Sequence, residues 1–231
     1  MVIKNRKQII RAIIAMAILI ASFASLSSGY YVDENGLLAI YRGIFKGQRM
    51  FVDSWEALQT GSILMYPVFA LYYYCLSNVL ASFGIGLVLY TRIVYMICRL
   101  IIAIYMYFCL KNSKYRKGAF VASILYYMFV VGWFNFSYKS YCDMAIALII
   151  CFIIRVFETE KIYYFVPIGI ACCICVLAYP TMIFFGVALG VGIIFAIKQA
   201  GLSKKALTLY VVTCICCGAL FLIYLQYNLN C

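Results

Sequence analysis

Asp33-Glu34, Asp53-Ser54-Trp55-Glu56 and Asp143 are the acidic positions of this chain best placed to do chemistry, and Arg92 and Arg99 are the cations they would work with. The chain has no His. That removes His-based triads, His-ligated metals and imidazole acid–base steps, so catalysis would have to use carboxylates, Arg, Lys, Tyr or Cys. A carboxylate near a membrane surface can act as general base toward a hydroxyl, and a nearby guanidinium offers planar donors to a phosphate. Asp33 is equally suited to capping the helix that follows it. Trp55 fits a sugar face or an interfacial anchor. Asp143, beside Lys139, fits a local salt bridge or, with a second carboxylate, a weak divalent-cation site.

The elements that must position these residues are set by the solvent. The composition is 68% hydrophobic and 11% charged, far from the roughly 25% charged residues of soluble domains. Apolar runs recur at about 12–25, 62–80, 86–110, 118–134, 140–157, 162–178, 182–197 and 206–225. A run of about 20 apolar residues is what the hydrocarbon thickness of a bilayer asks of a helix. The solvent is therefore lipid. The net charge of +12 does not point to nucleic acid, because the basic residues sit between hydrophobic runs and mark topology.

Lys4, Arg6, Lys7 and Arg11 precede the first run, which ends in Ala24-Ser25-Leu26-Ser27-Ser28-Gly29. Alone this resembles a cleavable signal peptide. With every later run also membrane-embedded, it reads as a retained first helix with a cytoplasmic N-terminus. Within 29–60, Leu37, Leu38, Tyr41, Ile44 and Phe45 recur at helical spacing, the pattern of a short helix lying along the interface.

Charge then decides the count. If all eight runs cross, only Lys4, Arg6, Lys7, Arg11 and Lys139 face the cytoplasm, the wrong way round for the positive-inside bias. If 62–80 instead lies in the interface and returns, the cytoplasm receives those N-terminal four with Lys111, Lys114, Arg116, Lys117, Arg155, Lys161, Lys198, Lys204 and Lys205. Outside stand Arg42, Lys46, Arg49 and Lys139. The expected fold is an all-α polytopic bundle of seven transmembrane helices, with two interfacial helices in the first outer loop. It forms a single membrane domain over 1–231: first helix 1–28, outer loop 29–85, six further helices in 86–231, C-terminus outside.

In that topology Asp33, Glu34, Asp53, Glu56 and Asp143 are outside, and Arg92 lies roughly 9 Å below the outer boundary. An intramembrane Arg costs at least a few kcal/mol, roughly, unless it is paired or faces a wet cavity. The structural alternatives are snorkelling for Arg92 and a buried hydrogen-bond network for Arg99. Most of the twelve Cys, such as Cys172, Cys173, Cys175, Cys214, Cys216 and Cys217, lie inside apolar runs and read as small packing residues. Gly186 and Gly190 form a small-xxx-small pair for close helix packing. Leu177-Ala178-Tyr179-Pro180-Thr181 marks an outer turn whose Tyr179 either lines a site or only shapes the turn.

Several segments resemble the GT-C glycosyltransferase superfamily, the fold shared by protein O-mannosyltransferases and lipid A aminoarabinose transferases. They are Tyr31-Val32-Asp33-Glu34-Asn35-Gly36, Gly47-Gln48-Arg49-Met50-Phe51-Val52-Asp53-Ser54-Trp55-Glu56, the run 59–74 and Arg92, in family order. Phe136-Ser137-Tyr138-Lys139-Ser140 and the turn around Tyr179 also look like bacterial members. The resemblance implies a seven-helix module with two outer interfacial helices, a polyprenyl-phosphate-linked sugar donor, and a glycan, lipid or protein acceptor. By the same analogy Asp33 matches the catalytic base, Glu34 its acidic neighbour and Arg92 a donor-phosphate contact. Asp53, Trp55, Glu56, Lys139 and Tyr179 are expected around the substrate, and Asp143 matches a second outer Asp that assists a divalent cation in some members. Ala57-Leu58-Gln59 departs from the Pro-His stretch of close bacterial relatives. Members continue past the position of Cys231, so activity is expected to need that further region.

The reading is thus a cell-membrane glycosyltransferase module moving a hexosyl or pentosyl group at the non-cytoplasmic face, with membrane lipids as its surroundings and no nucleic acid as partner. The alternatives are a multi-pass transporter, for which related halves and broken midplane helices are the expected signature, and a non-catalytic membrane subunit.

Overall fold

The computed structural model describes residues 2–26, 32–53, 56, 58–83, 85–129, 135–201 and 203–230, and side chains throughout these except at 2–7, 25, 32–35, 200 and 228–230. The described residues are helical, without a strand. The helices are α1 (Val2–Ser25), α2 (Val32–Phe45), α3 (Gln59–Ser82), α4 (Leu87–Lys111), α5 (Ala119–Met128), α6 (Tyr138–Thr159), α7 (Phe165–Ala178), α8 (Ile183–Ala200) and α9 (Lys205–Asn230). Five stretches are long and apolar enough to cross a membrane: α3, α4, α6, Pro180–Gln199 of α8 with its leading turn, and Lys205–Tyr227 of α9. Gln8–Ala24, Ala119–Met128 and Ile162–Ala178 are shorter apolar helices.

Local chemistry sets the helix ends. α2 closes in a Schellman motif: the Gln48 N–H donates to Gly43 O, the Gly47 N–H to Ile44 O, and Gly47 takes φ 102°. A capping box opens α6, in which Ser137 Oγ accepts from the Ser140 N–H and Ser140 Oγ from the Ser137 N–H. α4 finishes on Lys111, a cation at the negative end of the helix dipole. α3 begins as a 3₁₀ turn over Gln59–Gly61 and widens to a π-helix over Leu71–Leu76, where Tyr72, Tyr73 and Tyr74 sit.

Contacts fix how the helices run. The carbonyl of Leu26, just past α1, meets Arg92 near the start of α4, while Gln8 and Arg11 share a groove with Tyr107 and Phe108 near the end of α4. Only antiparallel helices satisfy both. α5 returns along α4, with Phe120 in that groove and the Tyr127 carbonyl at Arg99. α6 runs parallel to α4, since Tyr95 packs on Phe136 at 5.5 Å and Tyr105 on Phe152 at 5.7 Å between ring centres. α7 returns along α6, with Tyr138 near Tyr179 at one end and Phe152 near Tyr164 at the other. α8 and α9 follow through short connections, and α9 lies against α7, where Cys172 and Gly169 meet Tyr210 and Thr213.

α1 therefore ends, and α4 begins, at the same end of the bundle, so the segment between them leaves and comes back. α3 lies across that end. Thr60 Oγ donates to the carbonyl of Leu177 at the close of α7, the Tyr90 hydroxyl donates to Val68 O, and the Tyr72 and Tyr90 rings stand 5.0 Å apart. Met65 and Phe69 are fully buried in a cluster with Tyr41, Tyr95, Phe136 and Tyr141, which ties α2 and α3 onto the mouth of the helices. A helix of spanning length and composition is thus held over an end face by what it packs against.

Candidate functional site

Arg92 stands on the second turn of α4, only 6% exposed, and its Nη1 donates to Leu26 O at 2.8 Å. That carbonyl belongs to the end of α1, where the helix dipole presents its negative pole and a guanidinium is favoured. A cation is thus buried at the seam where α1 leaves the bundle and α4 enters it. The segment carrying Asp33 and Glu34 departs from this seam. α2 begins at Val32, so both acids stand in its first turn rather than before it. Their side chains lie outside the described ones.

The loop after α2 places Asp53 on the surface. Its carboxylate accepts the Arg49 N–H at 2.7 Å and the Arg49 guanidinium at 3.3 Å. The backbone donor, then the guanidinium, hold this carboxyl below its ordinary value. Gln59 anchors the loop from α3: it is fully buried, and its Oε1 accepts the Phe51 N–H at 2.9 Å. Glu56 is exposed on the same loop. Trp55 lies outside the described residues.

Asp143 has a different partner from the one its local spacing offers. It pairs with Arg99 of α4, whereas Lys139 points its ammonium over the Tyr138 ring at 5.5 Å. Arg99 is fully buried. Nε donates to Tyr127 O, Nη1 to Tyr95 Oη and Asp143, and Nη2 to the carbonyls of Tyr126 and Phe129. Those contacts occupy all the N–H donors a guanidinium has. The three carbonyls are the orphan acceptors at the end of α5, so Arg99 serves as that helix's C-terminal cap.

Tyr179 is partly exposed where α6 and α7 meet, its ring 5.1 Å from that of Tyr138. Lys139, Tyr138 and Tyr179 therefore share one corner of the end face, and Thr60 bonds to the backbone two residues before Tyr179. The structure brings Arg92 to the α1–α4 seam and the Asp143–Arg99–Tyr95 set together inside the bundle. Asp53 stays with Arg49 on the surface. Among the described residues no three His, Cys, Asp or Glu side chains gather as a metal site would need.

The sequence reading gave no role to Tyr95, Gln59 or Thr60. Tyr95 was legible, four residues before Arg99 on one helical face. Gln59 and Thr60 carried only the faint signal of polar residues opening an apolar run. No protein-family model, curated protein or solved structure matches the chain.

Proposed function

We propose that the chain crosses the membrane seven times, through α1 and α4 to α9, with α2 and α3 lying at the non-cytoplasmic interface, and that this outer face transfers a sugar from a polyprenyl-phosphate donor to an acceptor hydroxyl, as in GT-C enzymes. The observation that carries the reading is the buried Arg92 guanidinium at the seam from which the Asp33-Glu34 segment departs. Two features support the topology. The segment between α1 and α4 returns to the end it left, and the basic loops beyond Lys111, Thr159 and Ala200 fall at the opposite end.

In this mechanism Asp33 takes the proton of the acceptor hydroxyl as its oxygen attacks the anomeric carbon. The anomeric C–O bond breaks, its electron pair goes to the lipid phosphate, and Arg92 stabilises the charge that grows there. Glu34 shapes the field around the base. Asp53, Trp55, Glu56, Lys139 and Tyr179 border the donor sugar and the acceptor on the same face. Arg92 stands nearer the outer end of α4 than Arg99, which puts it closer to a lipid phosphate at that face.

The test is donor retention and transfer by the purified protein with a radiolabelled polyprenyl-phosphate sugar, with and without acceptor. Asp33→Asn should retain donor but lower transfer by about a hundred- to ten-thousand-fold. Unchanged transfer in Asp33→Asn removes the base. Donor retention unaffected by Arg92→Gln removes the phosphate contact.

A further inference from the structure

A second site lies in the half of the bundle away from Arg92. Between α1, α4 and α5 runs a partly open groove of about 490 Å³, within the size range of small-molecule sites. Ala15, Ile18, Leu19, Leu100 and Ala103 make its inner walls apolar. Its mouth is different. The Arg11 guanidinium lies 5.4 Å from the centre of the Phe120 ring, and the Lys111 ammonium 5.6 Å from that of Tyr107. Both rings line the groove, and Gln8 adds an amide beside them. Two exposed cations from different helices are thus held over aromatic faces at one end of an apolar slot. Among the described residues no Asp or Glu lines it.

That order, cations at the mouth and hydrocarbon walls behind, is the complement of an anionic amphiphile. A soluble phosphate would satisfy the mouth and leave the slot unused, and a neutral lipid would fill the slot and leave the cations unmatched. We propose that this groove binds an anionic phospholipid, its phosphate between Arg11 and Lys111 and one acyl chain running toward Leu19 and Leu100. Lys114, Arg116 and Lys117 follow Lys111 in the chain and add to the positive field at that membrane surface. The inference goes beyond the transfer chemistry and does not rest on it.

The full chain in phosphatidylcholine vesicles, doped with phosphatidylglycerol carrying a photoactivatable group midway along one acyl chain, provides the test, with equally labelled phosphatidylcholine as comparison. Crosslinks should fall within 12–19 and 100–108 and favour phosphatidylglycerol. Arg11→Gln and Lys111→Gln should each reduce that excess about fivefold, the effect of roughly 1 kcal/mol for one cation near a membrane surface. Ala15→Phe, which fills the slot from the half-exposed face of α1, should abolish the labelling with both cations intact. Excess glycerol phosphate should leave it unchanged. Equal labelling by the two lipids, an excess that survives the double Gln variant, labelling that persists in Ala15→Phe, or full competition by glycerol phosphate would each overturn the proposal.

Discussion

Arg92 and Arg99 lie about two turns apart on α4, and their partners separate their roles. Arg99 spends its donors on Asp143, Tyr95 and the end of α5. Removing this fully buried cation leaves the partly buried Asp143 carboxylate unpaired and three helix-end carbonyls uncapped, so Arg99→Leu should lower stability by about 3–5 kcal/mol. Thermal unfolding in detergent measures this. Asp143→Asn keeps the shape and the other acceptors, and its cost should be smaller, about 1–3 kcal/mol. A loss of transfer in Asp143→Asn with unchanged melting would instead mark Asp143 as part of the chemistry. At Arg92 the planar fork matters as well as the charge, so Arg92→Lys should weaken donor retention about tenfold or more, the loss of one charged hydrogen bond.

Among the elements, close helix approaches are the points that tolerate least. A Cβ on Gly169 of α7 would stand 2.9 Å from Thr213 Cβ and 3.3 Å from the Tyr210 carbonyl oxygen of α9. Gly169→Val should therefore separate α7 from α9 and cost about 1–3 kcal/mol by overpacking, read as an earlier thermal transition. The Gly186–Gly190 pair serves the same kind of packing: a Cβ on Gly186 would meet Cys172 Sγ at 2.8 Å, and one on Gly190 the Tyr210 ring at 3.5 Å. α2 and α3 are joined in the same way, with the Tyr41 hydroxyl 2.7 Å from where a Gly61 Cβ would sit.

The whole molecule is tested by which loops are reached from which side. In a background lacking the native thiols, single Cys probes at Glu56 and Lys139 should react with an impermeant reagent from outside. Probes at Lys114 and Ser203 should react only after the membrane is opened. All four positions are exposed, so silence reflects the membrane and not burial. Labelling of Lys114 from outside would mean that α3 spans, and it would put the loop of Lys139 on the other side from Glu56.

The sequence by itself determined the solvent and the helices. Its composition points to lipid surroundings, and its apolar runs at 86–110, 140–157 and 162–178 reappear within a residue or two as Leu87–Lys111, Tyr138–Thr159 and Ile162–Ala178. Hydropathy and periodicity are local properties, and helices in lipid form from local hydrogen bonds. The cost of a buried guanidinium likewise singled out Arg92 and Arg99 without a structure. What tertiary structure alone decided is which surfaces meet. The distribution of Lys and Arg already points to a 62–80 segment that does not cross, against its length and apolarity, but only the packed helices give the surfaces that hold α3 across an end face: Leu177, Tyr90 and the cluster around Phe69. Spacing offered Asp143 a partner in Lys139, one turn away, but the ion pair goes to Arg99. A guanidinium shielded from water gains more from a carboxylate than an exposed ammonium does, and that choice exists only once α4, α5 and α6 have packed.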